Sequence, residues 1–445
     1  MVLPVSGPEL ISTPYWWEGG RDLPELSTEP PADNELVIIG GGFTGLSAAL
    51  TAAGKGVAVT VLDAAKPGQG ASTRNGGMIG APHRPGFVKE LATYGETVAG
   101  QLVREGAKAY EYTRSLYTSA DMDTGFQQTG RIQLANTRAA FRAMKERLAL
   151  LNEIQDQGIE IVERDALGAH TNSSIYFGAL LYPDHGGIHP RRAHDALLAR
   201  AVAAGVTLCA DCSVTGIDAS ANGFKVSLVG RSINTRKLIV ATNGYTSAMQ
   251  RFLARRIFRI PSFIIATEEL PTGVIDRVAP GRHMMVETRA RHSYYRPSPD
   301  GKRILFGGRA ALTPVSPEAA AARLRETMIN IWPEANEWRL THSWQGFTGF
   351  TFGMIPHVGE HEGMHYALGY CGNGVALSPW LGHKVALRAL GDAEGETAFA
   401  KTRLETRPFH LGGKPWFMNL ASPWWRYVVD TLETRQARKD FAQKD

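Results

Sequence analysis

The rhythm of apolar and polar positions changes abruptly at Glu35. Leu36-Val37-Ile38-Ile39 is a short, unbroken apolar run closed by Gly40, the pattern of a parallel strand buried on both faces. Leu46 to Ala53 follows at helical density and stops at Gly54 and Gly56, and Val57 to Leu62 makes a second strand closed by Asp63. This predicts a compact β-α-β unit. Phe87, Val88, Leu91, Val98, Leu102 and Val103 then recur at helical spacing, which predicts a helix over 87–117. A strand-like passage over 125–135 and an amphipathic helix over 137–157 come next. β character returns over 205–217 and 224–241, with a turn at Ala221-Asn222-Gly223. Alternating strands are expected over 262–287 and 293–308, the latter around a Pro297–Gly301 turn. A last glycine-rich stretch, Gly369 to Gly374, opens a helix running to Leu390. The order predicts an α/β fold whose first domain is assembled from separated pieces, with a second domain inserted.

Composition narrows the classes. The 445 residues permit two or three domains with a sizeable core. Lys and Arg total 48 against 43 Asp and Glu, and a net +5 spread over this length gives no concentrated basic face for nucleic acid or membrane. Three cysteines are too few for a disulfide framework and suit a reducing compartment. The first twenty residues carry no Lys or Arg, so no signal peptide is expected, nor is any apolar stretch long enough to span a bilayer. A cytoplasmic location is the expectation.

Gly40-Gly41-Gly42-Phe43-Thr44-Gly45 reads as G-x-G-x-x-G between the first strand and its helix. Gly40 serves the tight turn, Gly42 lets the backbone approach a pyrophosphate, and Gly45 allows close helix–strand packing. The helix N-terminus then offers free N–H groups and the positive end of its dipole to the phosphates. Asp63, ending the second strand, is placed to accept hydrogen bonds from a ribose diol. Three further polar, glycine-bearing segments follow: Ala71 to Met78, Lys237 to Gly244, and Gly372-Asn373-Gly374-Val375. A nicotinamide dinucleotide needs no such set. FAD, with a tricyclic ring to embed as well as an ADP, does.

These motifs carry a family resemblance. ELVIIGGGFTGLSAAL from Glu35, GASTRNGGMIG from Gly70, KLIVATNGYTS from Lys237, YYRPSPDGKRILFGGR from Tyr294 and GYCGNGVALSPWLG from Gly369 resemble the D-amino-acid-oxidase-type FAD-dependent oxidoreductases. The Arg-Asn-Gly-Gly run and the early Tyr15-Trp16-Trp17 are most similar to the γ-glutamylputrescine oxidase subfamily. The resemblance implies a glutathione-reductase-like FAD-binding Rossmann domain with an inserted antiparallel-sheet substrate domain. The boundaries drawn are an extension over 1–34, an FAD domain over 35–86, 186–255 and 345–400, a substrate domain over 87–185 and 256–344, and a tail over 401–445.

The resemblance also implies roles. Ser72, Arg74, Asn75, Gly76 and Gly77 would pass alongside the flavin, Val214 would meet adenine, and Ala241, Thr242 and Gly244 would close the strand end on the cofactor. Gly372, Asn373, Gly374 and Val375 would bring a helix N-terminus to the flavin edge where negative charge develops. Substrate contacts would come from Tyr294, Tyr295 and Arg296, with Trp344 and Phe347 walling the pocket. Adjacent strand positions face opposite ways, and of the two tyrosines Tyr295 is the favoured one; Arg296 could clasp a carboxylate. Some relatives attach flavin through a cysteine near the late tryptophan strand. Ser343 to Thr348 holds none, so non-covalent FAD is expected.

The implied reaction is hydride transfer from the C–N bond of a small amine or amino acid, giving an imine that hydrolyses. Reoxidation by O2 or another acceptor stays open, since no oxygen-activating lysine is identified. A tRNA-modifying flavoenzyme and a non-catalytic FAD-binding subunit are the alternatives, and the oligomeric state is open. No nucleic-acid or membrane partner is expected. Cys209-Ala210-Asp211-Cys212 lacks the second pair a zinc site needs, and His170, His185, His189 and His194 are too scattered for a metal. Arg251, Arg255, Arg256 and Arg259 read as a solvated face, Cys371 as a small turn residue, and Trp416, Trp424 and Trp425 as packing the tail onto the body.

Overall fold

In a computed structural model, described for residues 6–18, 26–81, 87–246 and 249–442, two large sheets organise the chain. The first centres on Asp33–Ile39, flanked in parallel by Val59–Leu62 on one side and Arg231–Val240 on the other. Thr207–Cys209 extends it in parallel beyond Val59–Leu62, and Met364–Leu368 also pairs in parallel with Arg231–Val240. Leu36 to Ile39 are buried, as an apolar run covered on both faces requires. Helix Phe43–Gly54 packs on helix Gly374–Ala389, bringing the two distant glycine motifs to one end of this sheet. The passage over 224–241 is two strands, Gly223–Leu228 and Arg231–Val240, because Val229-Gly230 makes a second hairpin turn.

Among the described residues the second sheet has nine strands. Its longest pairing is antiparallel, Ile257–Thr267 against Leu340–Thr351. Ser293–Pro297 and Ile304–Gly308 form a hairpin around the expected turn. Three features depart from the sequence boundaries. Strand Leu340–Thr351 runs without a break across the division drawn at 344/345. The segment Phe87–Tyr117 is broken at Gly95 (φ +74°) into two helices; beyond the break, Ala99 and Val103 pack on Leu151 of helix Arg138–Ile154, while Leu102, Ala109, Tyr110 and Tyr117 share a core with helix Phe43–Gly54, so it bridges the inserted and nucleotide sides. Ser6–Ile11 adds a parallel edge strand beside Leu340–Thr351, so the N-terminal extension is part of the second sheet. Helix Pro317–Ile331 was not anticipated; Ser316 caps it, and Ala320, Leu324, Met328 and Ile331 form its buried stripe.

Candidate active site

Two confluent cavities lie between the sheets. The larger, about 600 Å³, runs along the end of the first sheet and is lined by Gly40, Gly42, Phe43, Thr44, Asp63, Ser72, Asn75, Val214, Ala241, Thr242, Gly372, Gly374 and Val375. Gly40 sits at φ +111°, where a side chain is strained. Asp63 accepts the Gly41 N–H at 2.8 Å through Oδ2 and the Ala65 N–H at 3.1 Å through Oδ1. Each oxygen keeps lone-pair capacity toward the cavity, and burial raises this carboxyl above its ordinary pKa. Gly42 caps helix Phe43–Gly54 without a side-chain hydrogen bond, and Asn373 likewise caps helix Gly374–Ala389. Two helix N-termini therefore open on one cavity, a donor arrangement suited to phosphate and to an anionic ring edge. The residues present fit a dinucleotide carrying an extended ring system.

Gly77 and Gly244, expected at the cofactor, sit behind the wall, as does Gly45, read from the sequence as the packing glycine. A Cβ on Gly45 would lie 1.8 Å from the Gly40 carbonyl oxygen, so its role is close packing. A Cβ on Gly77 would meet the Ile188 carbonyl at 2.4 Å, and one on Gly244 the Gly349 nitrogen at 3.0 Å; each packs on a neighbouring strand or loop instead of lining the cavity.

The smaller cavity, about 180 Å³, adjoins the first and is bounded by Arg74, Asn75, Gly76, Arg131, Ser262, His292, Tyr294, Arg309, Phe347 and Phe350, with Gly372, Asn373 and Val375 at the junction. The favoured tyrosine is reversed. Strand alternation points Tyr295 into the core, where it stacks on Phe306 at 5.2 Å and meets the Tyr176 hydroxyl at 2.6 Å. Tyr294 faces the cavity, hydrogen-bonded to Ser262 at 2.9 Å, its hydroxyl pushed up to about 12 by burial and so neutral. Its ring occupies space that a Cβ on Gly76 or Gly307 would fill.

Arg296 and Trp344 are corrected too. Arg296 is 1% exposed and donates through Nη1 to the carbonyls of Gly77 and Ile188 at 3.2 and 3.1 Å. It props the 74–77 loop from behind, and burial lowers its pKa to about 10. Trp344 donates to the Arg74 carbonyl at 3.0 Å, Trp16 to the Asn75 carbonyl at 2.8 Å, and Trp17 to Thr73 Oγ1 at 2.9 Å. Three indoles thus pin the loop that borders both cavities. The early Tyr-Trp-Trp cluster signalled packing; its hold on this loop was not readable without the fold. Phe347 does wall the cavity, beneath the Arg259 guanidinium at 4.5 Å.

The residue that sequence reasoning missed is Arg309. Arg74 is engaged by the carbonyls of Gln69 and Gln345, and Arg131 donates to the Ala81 carbonyl at 3.0 Å. The Arg309 guanidinium lies over the Phe350 ring at 5.2 Å, and among the described residues no oxygen accepts from it. Among the described residues no Asp or Glu lines this cavity. His292 is held at φ +29° with Nδ1 3.2 Å from the Glu287 carbonyl. Burial, with Arg309 and Arg131 nearby, lowers its pKa to about 4, so the ring is neutral near pH 7. Arg309 ends the quoted FGGR motif, but only the fold shows that its guanidinium is left unmatched.

Elsewhere the sharper readings dissolve into ordinary contacts. His170 meets His283, His185 accepts the Ala81 N–H, His189 caps helix Pro190–Ala203, and His194 bonds the Gly41 carbonyl. Cys209 and Cys212 are free and buried, and burial pushes the Cys209 thiol up to about 11. Arg251 and Arg255 are exposed, whereas Arg256 stacks on Phe252 at 3.7 Å, so the arginine cluster is only partly a solvated face.

An FAD-type loop, a second helix terminus on the same cavity and an adjoining chamber define a flavin-dependent oxidoreductase architecture. The family model of FAD dependent oxidoreductases matches residues 35–388, and the chain belongs to that family. FAD is its cofactor. Among curated proteins, the chain is 29% identical to a probable oxidoreductase OrdL of Rhizobium meliloti (strain 1021), over 86% of this chain and 89% of that protein. It is 26% identical to the gamma-glutamylputrescine oxidoreductase of Escherichia coli (strain K12), over 82% and 86%. The crystal structure of glycine oxidase from Geobacillus kaustophilus superposes with a TM-score of 0.70 at 19% identity, covering 85% of this chain and 99% of that one. This establishes the shared fold.

Proposed function

We propose that the protein oxidises the C–N bond of a small amine that also carries a carboxylate, an amino acid or N-substituted amino acid rather than a plain diamine. The observation that carries this reading is Arg309, from which no described oxygen accepts, in a chamber with no acidic residue among the described lining. A half-buried guanidinium without a counter-ion is partly desolvated at a cost, and a bidentate carboxylate is its natural complement. A second ammonium group, as in a polyamine chain, would find no carboxylate partner on the described wall. The chamber's 180 Å³ is below the range of drug-sized pockets and favours a compact substrate.

Bound along the larger cavity, FAD would supply a two-electron acceptor for the hydride on the carbon beside the nitrogen; the imine so left would take up water to give a carbonyl and ammonia or an amine, and O2 would carry the electrons away as H2O2. Arg309 fixes the carboxylate, and so the position of the carbon beside it. Tyr294, neutral and tied to Ser262, offers a hydroxyl to the substrate's polar end. His292, with Nδ1 committed to a carbonyl, leaves Nε2 to receive an amine N–H. Phe347 and Phe350 keep water from the chamber, which favours the neutral amine needed for reaction. The cofactor would be gripped by Gly40, Gly42, Phe43, Thr44, Asp63, Ser72, Val214, Ala241 and Thr242 along the nucleotide, and by Arg74, Asn75, Gly76, Gly372, Asn373, Gly374 and Val375 at the ring.

Anaerobic mixing of the yellow protein with a panel of amino acids, N-alkyl amino acids and the corresponding decarboxylated amines tests this. The carboxylated members are expected to bleach the flavin band, and readmitted air to yield H2O2. Bleaching by the decarboxylated amines alone would contradict the reading.

A further inference from the structure

We infer that the C-terminal tail docks the enzyme on the surface of an anionic lipid bilayer. The inner face of the tail behaves as the sequence suggests. Phe417, Met418, Ala421 and Trp425 pack on Phe258, Ile260, Leu312 and Phe350, so the tail backs the wall of the smaller chamber. Its outer face does not follow. Trp416, Leu420, Trp424 and Tyr427 recur at helical spacing and are 53%, 71%, 58% and 69% exposed; Leu411 beside them is 75% exposed. Helix Phe417–Trp424 is therefore apolar on both sides, a pattern expected of a helix covered on both sides.

Charge identifies the second cover. Residues 401–445 hold nine Lys or Arg and five Asp or Glu, a net +4 out of +5 for the whole chain, so the positive charge is concentrated here and not spread. The described acids of the tail are all engaged. Glu405 pairs with Arg407, Asp430 with Arg291 at 2.6 Å, Glu433 accepts the Ala290 N–H, and Asp440 accepts the Arg138 N–H. Lys414, Arg426, Arg435, Arg438 and Lys439 are exposed, and none forms an ion pair among the described residues. Acids turned inward and bases turned outward around a Trp, Tyr and Leu stripe match an interfacial helix: aromatic rings at headgroup depth, cations on lipid phosphates. A second copy of the chain would bring like charges together across the same stripe, which disfavours a symmetric dimer there.

The test is co-sedimentation of the FAD-loaded protein with vesicles of phosphatidylglycerol and phosphatidylcholine, and with phosphatidylcholine alone. Yellow protein should pellet with the anionic vesicles, much less with the neutral ones, and binding should fall as salt rises to about 0.5 M. A Trp416→Ser/Leu420→Ser/Trp424→Ser variant should stay in the supernatant. Lys414→Glu/Arg426→Glu should weaken binding by about tenfold or more. Both variants should keep their flavin and its reduction by substrate. Absence of vesicle binding, or binding indifferent to both variants, would overturn the inference. So would elution at twice the monomer mass that the serine variant abolishes, since the stripe would then belong to a second copy.

Discussion

Gly42→Val is expected to give folded, colourless protein. Gly42 lies at φ −86° and ψ −172°, an extended conformation that valine adopts readily. The first atom its Cβ would meet is the movable Ser72 Oγ at 2.8 Å, so the local cost is about 1 kcal/mol from the loss of the Phe43 N–H to Ser72 bond. The branched side chain does, however, fill the approach that a diphosphate needs. Losing two charge-assisted N–H contacts costs roughly 3–6 kcal/mol, about 10²- to 10⁴-fold in FAD affinity. Gly45→Ala supplies the contrast. Its Cβ would fall 1.8 Å from a backbone oxygen, so that variant should lose folded protein altogether. Circular dichroism and the 450 nm absorbance separate the two. A fully flavinylated Gly42→Val protein would contradict the phosphate-approach argument.

Arg309→Met is expected to lower kcat/KM for a carboxylated amine by roughly 30- to several-thousandfold, about 2–5 kcal/mol, the cost of truncating one partner of a buried charge pair. Most of the loss should appear in KM. Arg309→Lys should recover part of it, since an ammonium restores charge without the planar fork. Stability should move the other way. Burial already lowers the Arg309 pKa and no described residue neutralises it, so the ligand-free variant should melt no lower than the parent. His292 should titrate far below neutrality in the free enzyme, and removing the Arg309 cation should raise its pKa only in part, because burial is the larger cause. Equal kcat/KM in parent and variant would remove Arg309 from substrate binding.

How far the sequence led depends on which physical signal each part left. Leu36 to Asp63 was legible because strand period, helix period and the glycine turn agree over one short stretch. The late helix from Gly374 was legible for the same reason. Most of the residues lining the larger cavity belong to those motifs, apart from Gly77 and Gly244, which serve close packing and leave the same sequence mark as ligand approach. The substrate chamber was much less legible. Tyr294 and Tyr295 differ only by which face of the sheet is covered, and a second layer bearing Trp332 and Tyr176 decides that. Arg296 lies in the hairpin and Arg309 just past its end; what separates them is that carbonyls 108 and 219 positions away in sequence hold Arg296 Nη1 and turn its guanidinium from the chamber. The N-terminal edge strand pairs with residues more than 300 positions away, beyond any local pattern. In the tail, the tryptophans forecast a packed inner face, while the outward arrangement of bases emerges only with the folded partners of Asp430 and Asp440.

The most direct test of the central claim is a crystal structure of the yellow protein grown with a small carboxylate inhibitor such as glycolate. FAD is expected with its diphosphate at Gly40–Gly45 and its ring beside Arg74–Gly76, and the inhibitor's carboxylate is expected on the Arg309 guanidinium. A ring system directed away from Arg309, or a carboxylate held elsewhere while Arg309 stays unmatched, would contradict that claim.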